Sequence, residues 1–324
     1  MKRIAQCIVS LGLRALLAGA SVSVFAQAYP AKLIRLVVPY AVGGPTDIVA
    51  RSVAQGLSES LKQTVIVENK PGAGGMIGAE FVAKSANDGY TLLLSGSGAV
   101  AVNQSLFKKF PYDTMRDFAP ITIVVSAPTI FLVPPSLGVN SVAEFIALAK
   151  NKPGQLNYAS AGNGTPPHLA AELLKSQAGI DLLHVPYTAR QATNAVMTGE
   201  AALLFGTPAD FGLVKAGKVK ALAVTNPKRF PPAPDLPTMQ EAGLPGFVVT
   251  AWYALLAPAR TPEEIVHRLQ QETARMLASP EMGKRLLGLG FEPIGNTPEQ
   301  TGVFIQSEII KWAKVIKDSG AKPE

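Results

Sequence analysis

The sequence predicts an α/β fold made of two domains. The first observation is a unit at residues 33–61, where a β-branched apolar run predicts a buried strand, two glycines turn the chain, and an apolar-faced helix follows. The second is a unit of the same kind at residues 156–177, with a short strand, a glycine-rich loop and a helix that begins at Pro166. The third is an extended stretch broken by prolines at residues 118–134, which is typical of a strand that passes between domains.

Residues 1–28 are predicted to be a secretory signal peptide. Basic residues stand in the first fourteen positions, an apolar stretch follows at residues 15–25, and Ala26-Gln27-Ala28 fits the small-residue cleavage rule. The apolar stretch is too short for a spanning helix, so a membrane-anchored N-terminus is the less favoured alternative. We therefore expect an exported, periplasmic protein that begins at Tyr29.

Composition excludes several classes of function. The whole chain carries a net charge of +7, and removal of the signal segment leaves 27 basic against 23 acidic residues, or +4. This charge is too small and too scattered to indicate nucleic-acid binding. The only cysteine, Cys7, lies in the signal segment, so the remaining 296 residues have no disulfide, thiol nucleophile or cysteine metal ligand. We expect no metal and no cofactor, and a core large enough for two domains.

The turn after the first strand is predicted to form an anion site. Gly43 and Gly44 let the backbone approach a ligand closely, and Thr46 is a favourable N-cap residue for the helix. The loop amides and the helix N-terminus then point towards whatever lies above the strand, which suits an anion. The alternative is an ordinary strand-to-helix turn within the core.

Two later strand ends carry loops of small residues. The glycine-rich stretch at residues 72–78 is one residue too long for a dinucleotide fingerprint and lacks the acidic residue that should follow. Close packing of this stretch on the sheet is therefore favoured over nucleotide binding. The strand at residues 91–94 leads to Ser97, and ligands in open α/β sheets bind at the carboxyl ends of strands, so Ser97 is a candidate for the site.

The glycine-rich loop of the second unit, residues 160–165, precedes another helix start at Pro166. A helix N-terminus carries about half a positive charge. Neither this loop nor the Gly43-Gly44 turn contains lysine or arginine. We therefore expect a carboxylate between the two helix starts, recognised by backbone amides and hydroxyl groups.

The remaining elements are predicted from helix-start signals. Ser141 is expected to cap a helix at residues 142–150, and Thr261, Ser279 and Thr297 each precede a proline and an acidic residue. A proline-rich stretch within residues 226–245 predicts a covering loop.

Taken together, these residues resemble the Bug, or TctC-type, solute-binding proteins of tripartite tricarboxylate transporters. The match runs in order through the chain after the signal segment. It comprises residues 34–47, 67–94, 117–121, 158–162 with 168–169, 184–187 and 237–246, and Trp252 with residues 257–258.

The resemblance implies a two-domain, periplasmic-binding-protein-like fold of type II, with two crossover strands and a ligand cleft between the domains. The implied domains are residues 29–128 with 250–324, and residues 129–249. The implied function is capture of a small carboxylate by closure about hinges near residues 125–130 and 245–252, followed by delivery to permease subunits of a tripartite tricarboxylate-type transporter. We expect a monomer. The acid stays open among tricarboxylates, dicarboxylates, acidic amino acids and aromatic acids.

The matching positions imply a set of ligand-binding residues in the loops at the strand ends. They are Tyr40, Gly43, Gly44, Thr46, Asp47, Ser97, Ser160, Ala161, Gly162, Thr165 and Tyr187.

Several side chains keep two interpretations. Asp47 either contacts a ligand amine or stabilises the first helical turn, and the second role is favoured. His168 either donates to the site or has a structural role, and Tyr40 and Trp252 either line the cleft or belong to the core. Arg190 is the one cation near a proposed loop, and it would bind a second carboxylate only if it turned inward.

Two other classes of protein compete with a transport receptor. An enzyme is disfavoured because the sequence has no G-x-S-x-G serine, no metal-spaced histidines and no P-loop, so its chemistry would have to rest on Asp47 and Ser160. A ligand sensor that docks on a signalling receptor would have the same fold and would differ only in its partner.

Overall fold

The computed structural model describes residues 29–162 and 164–319. The strands are β1 Ile34–Val38, β2 Val65–Asn69, β3 Thr91–Gly96, β4 Phe118–Pro128, β5 Ile130–Val133, β6 Asn157–Ser160, β7 Leu183–Pro186, β8 Leu203–Gly206, β9 Lys220–Val224, β10 Thr250–Pro258 and β11 Glu292–Pro293. The helices are α1 Pro45–Leu61, α2 Met76–Ala83, α3 Asn103–Leu106, α4 Thr114–Asp117, α5 Val142–Asn151, α6 Pro166–Ala178, α7 Ala189–Thr198, α8 Phe211–Lys215, α9 Glu263–Leu277, α10 Pro280–Gly288 and α11 Pro298–Ser319. A π-helical turn, Gly98–Val102, leads directly into α3. The predicted signal peptide lies outside the described residues.

The first sheet has six strands in the order β11-β4-β10-β3-β1-β2. β1 pairs in parallel with β2 and β3, whereas β10 runs antiparallel to both β3 and β4. The carboxyl ends of β1 and β3 therefore meet at one edge of the sheet, where the chain turns into α1 and into the π-helical turn. Ligands of open α/β sheets bind at such an edge.

The second sheet has five strands in the order β7-β6-β8-β5-β9. β5 is buried on both faces, because Phe131 and Val133 join one hydrophobic cluster while Ile130 and Leu132 join another. The cluster that contains Phe131 also contains Val37 of the first sheet. One core therefore connects the two sheets.

The chain passes between the sheets where the sequence predicts crossover strands. β4 ends at Pro128 and β5 begins at Ile130, and the return runs from β9 to β10. The buried hydroxyl of Thr225 accepts a hydrogen bond from the backbone N–H of Thr129 at 2.9 Å and donates to the carbonyl oxygen of Val249 at 2.5 Å. One side chain thus joins both predicted hinge regions. Both sheets lie in one compact unit that begins at Lys32, and the two domain ranges given above stay a prediction.

The predicted helix starts are partly correct. Ser141 accepts a hydrogen bond from the N–H of Glu144, and Thr297 accepts one from Gln300, so both caps are confirmed. The prediction that Thr46 caps α1 is wrong. The N-cap is Gly44 and Pro45 is the first helical residue, a position that suits proline because its missing N–H would have had no intrahelical partner.

No helix among the described residues is long and apolar enough to cross a membrane.

Candidate functional site

A cavity of about 260 Å³ lies at the carboxyl ends of β1 and β3. It is lined by the end of β3, by residues that follow β1, β2 and β3, by residues 164–166 at the start of α6 and by the beginning of β10. They are Tyr40, Thr46, Gly74, Gly96, Ser97, Gly98, Asn103, Gly164, Thr165, Pro166, Ala251, Trp252 and Tyr253. None of these lining residues is charged at neutral pH. The cavity is smaller than the range of about 300–1,000 Å³ that is usual for ligand pockets, so it suits a small ligand.

Four of the predicted site residues line this cavity: Tyr40, Thr46, Ser97 and Thr165. The other seven lie outside its lining, although six of them belong to the same two loops. They are Gly43, Gly44 and Asp47 in the first loop, Ser160, Ala161 and Gly162 in the second, and Tyr187.

The carboxylate of Asp47 holds the first loop, residues 40–47, in place. It is 2% exposed and accepts a hydrogen bond from the backbone N–H of Gly43 at 2.9 Å, two from Arg51 at 2.9 and 3.0 Å, and one from Asn69 at 3.0 Å. Burial alone would raise the pKa of Asp47, but hydrogen bonds from Arg51, Gly43 and Asn69 outweigh it and lower the pKa below its usual value. Asn69 also donates to the carbonyl oxygen of Tyr40 at 3.0 Å. The loop is therefore shaped around an ionised carboxylate.

The ring of Tyr40 forms a wall of the cavity because two glycines leave room for it. A Cβ at Gly75 would lie 3.1 Å from the Tyr40 hydroxyl, and one at Gly98 would lie 3.3 Å from it. Gly78 packs equally closely, since a Cβ there would lie 2.8 Å from the Cα of Pro39. The glycines of residues 72–78 thus serve close packing, as predicted. Burial raises the pKa of Tyr40, so its hydroxyl stays protonated.

β10 supplies two aromatic residues to the cavity. Tyr253 lies beside Gly96, and burial raises its pKa, an effect that the nearby Thr46 hydroxyl partly offsets. Trp252 is 1% exposed, and its indole N–H donates to Glu308 at 2.9 Å. The second of the chain's two tryptophans, Trp312, donates to the same carboxylate at 3.0 Å. Trp252 therefore belongs both to the core and to the cavity wall.

Two buried polar side chains face the cavity with unused hydrogen-bonding capacity. Ser97 is 8% exposed, and its hydroxyl has no partner within the described part of the chain. Asn103 is 5% exposed and donates from Nδ2 to the carbonyl oxygen of Gly74 at 2.9 Å. Its Oδ1 has no partner among the described residues. Both atoms can therefore hydrogen-bond to a ligand or to water in the cavity.

The second loop, residues 160–165, is held by uncharged groups. The hydroxyl of Ser160 accepts a hydrogen bond from the N–H of Gly162 at 3.1 Å and lies 2.7 Å from Nε2 of His184. The N–H of Gly164 donates to Nδ1 of His168 at 3.0 Å. This bond requires an unprotonated Nδ1, and burial, with a smaller contribution from the neighbouring His184, lowers the pKa of His168 to about 4. The structural role that the sequence favours for His168 agrees with this contact.

The rings of His168, His184 and Tyr158 form a stack behind the second loop, with centroids 4.4 Å apart for the histidines and 4.8 Å apart for His184 and Tyr158. The hydroxyl of Tyr158 donates to Glu172 at 2.5 Å, and Lys175 donates to the same carboxylate at 3.0 Å. Tyr158 and His184 belong to β6 and β7, so the stack connects the second loop to the second sheet.

Tyr187 and Arg190 lie away from the cavity lining. The hydroxyl of Tyr187 donates to Glu200 at 2.8 Å, near the end of α7. Arg190 is exposed on the same helix. At Gly206 a Cβ would lie 2.7 Å from Oδ2 of Asp210. An acidic side chain is therefore present beside β8, but it comes from the following turn.

Sequence reasoning did not single out most of the remaining lining residues. Asn103 was detectable in principle, since it is a polar residue that follows an apolar run directly after β3. Tyr253 lies next to Trp252 in an apolar strand, and nothing in that pattern distinguishes a cavity wall from core. Gly74 reaches the cavity only through the packing of residues 72–78 on Tyr40.

No group of three or more histidine, cysteine, aspartate or glutamate residues in residues 29–162 and 164–319 could hold a metal ion.

The chain is similar to known receptors of one transport family. A family model described as "Tripartite tricarboxylate transporter family receptor" matches residues 49–321. Protein BugT of Bordetella pertussis is 36% identical over 320 residues, with 98% of each chain covered.

Solved structures give the same result. Rpa4515 of R. palustris, solved with adipate, has a TM-score of 0.78 at 36% identity, covering 91% of this chain and 100% of that chain. The periplasmic binding protein BugD has a TM-score of 0.74 at 36% identity, with 91% and 100% covered. MatC of Rhodopseudomonas palustris, with bound malate, has a TM-score of 0.73 at 33% identity, with 89% and 100% covered. The predicted fold class is confirmed.

Proposed function

The chain belongs to the tripartite tricarboxylate transporter receptor family, and from this premise we propose that it captures a small carboxylate in the periplasm and delivers it to the permease subunits of such a transporter. Members of this family bind solutes and are not enzymes. The adipate and malate of two similar structures support an organic acid as the ligand.

The observation that carries the proposal is the uncharged donor set at the start of α1. The backbone N–H groups of Thr46 and Asp47 belong to the first helical turn, where no intrahelical acceptor exists. The unpartnered hydroxyl of Ser97 lines the same cavity. A carboxylate accepts hydrogen bonds from amides and hydroxyls, and the α1 dipole favours its negative charge.

Asp47 serves in this arrangement through its backbone. Its side-chain oxygens are engaged by Gly43, Arg51 and Asn69, so they shape the loop and offer no acceptor to a ligand amine. The Asp47–Arg51 pair is close to neutral as a unit, which limits repulsion of a bound anion. Ligand contact falls to the predicted residues that line the cavity, Tyr40, Thr46, Ser97 and Thr165.

The other predicted residues in the two loops do not line the cavity, and they determine the backbone conformation of the loops. Gly43 and Gly44 set the turn before α1, and Ser160, Ala161 and Gly162 form the strand end before α6. Closure follows if the ligand contacts both the α1 and α6 sides, because a ligand shifts the equilibrium by the difference in its affinity for the closed and open forms. The predicted hinge lies where Thr225 joins the two crossover segments.

Calorimetric titration with a panel of organic acids tests the site, using Ser97→Ala and the control Ser307→Ala on the exposed part of α11. The affinity for the acid should fall about tenfold or more in Ser97→Ala, because a hydrogen bond to a charged group contributes about 1.5–3 kcal/mol. It should not change in the control. Wild-type affinity in Ser97→Ala would show that the carboxylate binds elsewhere.

Delivery to a permease has a separate test. Uptake of the identified acid should be lost in cells that lack the protein and restored when it is supplied again. Normal uptake in the deletion strain would refute the transport step and favour a signalling receptor as the partner.

A further inference from the structure

The two helix starts that meet the cavity differ in the number of donors that they offer. If the protein binds a carboxylate as proposed above, this difference determines which chemical group the cavity accepts at the ligand's other end, away from the start of α1.

The start of α6 has few N–H groups available. Its first two residues, Pro166 and Pro167, have no N–H at all, so only His168 contributes an amide to the first turn. In the described part of the second loop, the N–H of Gly162 already donates to Ser160 and that of Gly164 to His168.

The hydroxyl of Thr165 is also engaged. It donates to the carbonyl oxygen of Gly162 at 2.6 Å. A carboxylate placed against Thr165 and Pro166 would therefore meet a proline ring and an occupied hydroxyl.

The start of α1 is different. Only one proline, Pro45, stands in its first turn, so the amides of Thr46 and Asp47 remain. The side chains of Ser97 and Asn103 line the cavity as well, with the Ser97 hydroxyl and the Asn103 Oδ1 open to a ligand, and both residues follow β3 in the first sheet. One end of the cavity can satisfy a carboxylate.

The rest of the lining is uncharged and largely apolar. Tyr40, Tyr253 and Pro166 present rings to the cavity, and both tyrosine hydroxyls stay protonated because burial raises their pKa values. No lysine, arginine or histidine belongs to the lining.

We propose that this protein selects an acid with a single carboxylate, held at the start of α1, whose other end is uncharged and lies against Tyr40, Tyr253 and Pro166. The ligand class is a small monocarboxylic acid with an apolar or aromatic body. Among the described residues, a second carboxylate would leave water without a cation and with the amide of His168 as its donor in the first turn of α6. An unpaired buried charge is far more costly than a buried ester or methyl group.

Matched pairs of ligands test this inference on the intact protein. Each pair consists of a dicarboxylic acid and its monomethyl ester, which has nearly the same length and one charge fewer: succinate, adipate and terephthalate with their monoesters. Affinities are measured at pH 7.5 by calorimetry and by the fluorescence of the two tryptophans, one of which lines the cavity.

In the pair that fits best, the monoester should bind about tenfold tighter than the diacid or better, which corresponds to about 1.4 kcal/mol. Equal or tighter binding of the diacid overturns the inference and leaves the proposed function intact. Binding of no acid, in these pairs or in the wider panel, overturns the proposed function itself.

A double variant tests the role of the prolines directly. Pro166→Ala with Pro167→Ala restores two N–H groups at the start of α6, and Pro280→Ala, at the first position of the remote helix α10, is the matched control. The preference for the monoester should shrink about tenfold in the double variant and should be unchanged in the control. An unchanged preference in both variants would refute the assignment of selectivity to the α6 start.

Discussion

The first loop, residues 40–47, and the second loop, residues 160–165, each join a strand to a helix whose first residue is proline. In the first loop the ionised carboxylate of Asp47 accepts hydrogen bonds from the backbone N–H of Gly43 and from the side chains of Arg51 and Asn69. In the second loop the corresponding acceptors are a serine hydroxyl and the neutral imidazole of His168.

This difference shows that a glycine-rich loop before a helix is not automatically an anion site. What matters is how many donors remain after the loop has satisfied its own backbone. The first loop keeps the two amides at the start of α1 and has Ser97 beside it, whereas α6 begins with Pro166 and Pro167. The two loops should therefore respond differently to mutation and to pH.

The largest effect is expected from Asp47→Ala. The substitution leaves the N–H of Gly43 and one N–H of the Asn69 amide without an acceptor and removes the partner of Arg51. Because the side chain of Arg51 is 53% exposed, the loss comes chiefly from the donors of Gly43 and Asn69 that are left without this acceptor, and we expect about 2–3 kcal/mol of lost unfolding free energy. Urea denaturation measures this loss.

Asp47→Asn is the matched control, because the amide oxygen still accepts the hydrogen bond from Gly43. It should cost clearly less than Asp47→Ala. Equal and small losses, below about 0.5 kcal/mol for both variants, would mean that the first loop does not depend on this carboxylate.

The second loop should make the protein sensitive to acid. The pKa of His168 is about 4 in the folded chain, below the value of about 6.5 in an unfolded one, so the unfolded state binds more protons between these values. Stability is therefore complete above about pH 6.5 and is lost as the pH falls towards 4. Between pH 7 and pH 5 we expect a loss of about 2 kcal/mol, measured by urea denaturation at each pH.

His168→Gln isolates this contribution. A glutamine oxygen can accept the hydrogen bond from Gly164 but does not titrate, so the loss between pH 7 and pH 5 should become much smaller. The charges around the ring are those of His184, Glu172 and Lys175, and they are unchanged by the substitution. An identical pH dependence in the variant would assign it to other groups.

Sequence patterns predicted the strand–loop–helix units and the edge of the sheet at which the cavity lies, because these depend on local periodicity and on turn residues. The naming of Tyr40, Thr46, Ser97 and Thr165 as site residues came from the resemblance to the family, and these four line the cavity. Sequence patterns could not predict that Tyr253 lines the cavity. It is placed there by the antiparallel pairing of β10 with β3, in which it lies opposite Gly96.

The sequence also could not show which hydrogen-bond donors of the two loops are already engaged within the protein. The Asp47–Arg51 spacing of four residues indicates a helical ion pair. The bonds of Asn69 to Asp47 and of Gly164 to His168 depend on how the loops fold back on neighbouring elements. The preference for Thr46 as the cap failed because Pro45 fills the first helical position and moves the cap to Gly44.

The smallest effect separates the two glycines of the first loop. Gly43 has φ +80°, a left-handed conformation that costs a residue with a Cβ about 1 kcal/mol, whereas Gly44 has φ −74°, which alanine adopts freely. Neither Cβ would clash, since nothing lies within 4 Å at Gly43 and the nearest atom at Gly44 is 3.5 Å away.

Gly43→Ala should therefore lower the unfolding free energy by about 1 kcal/mol, and Gly44→Ala should leave it unchanged or raise it slightly. Chemical denaturation of both variants under the same conditions measures the two changes in unfolding free energy. If both variants lost the same stability, the loop would be set by its contacts with Asp47 and not by the backbone conformation of Gly43.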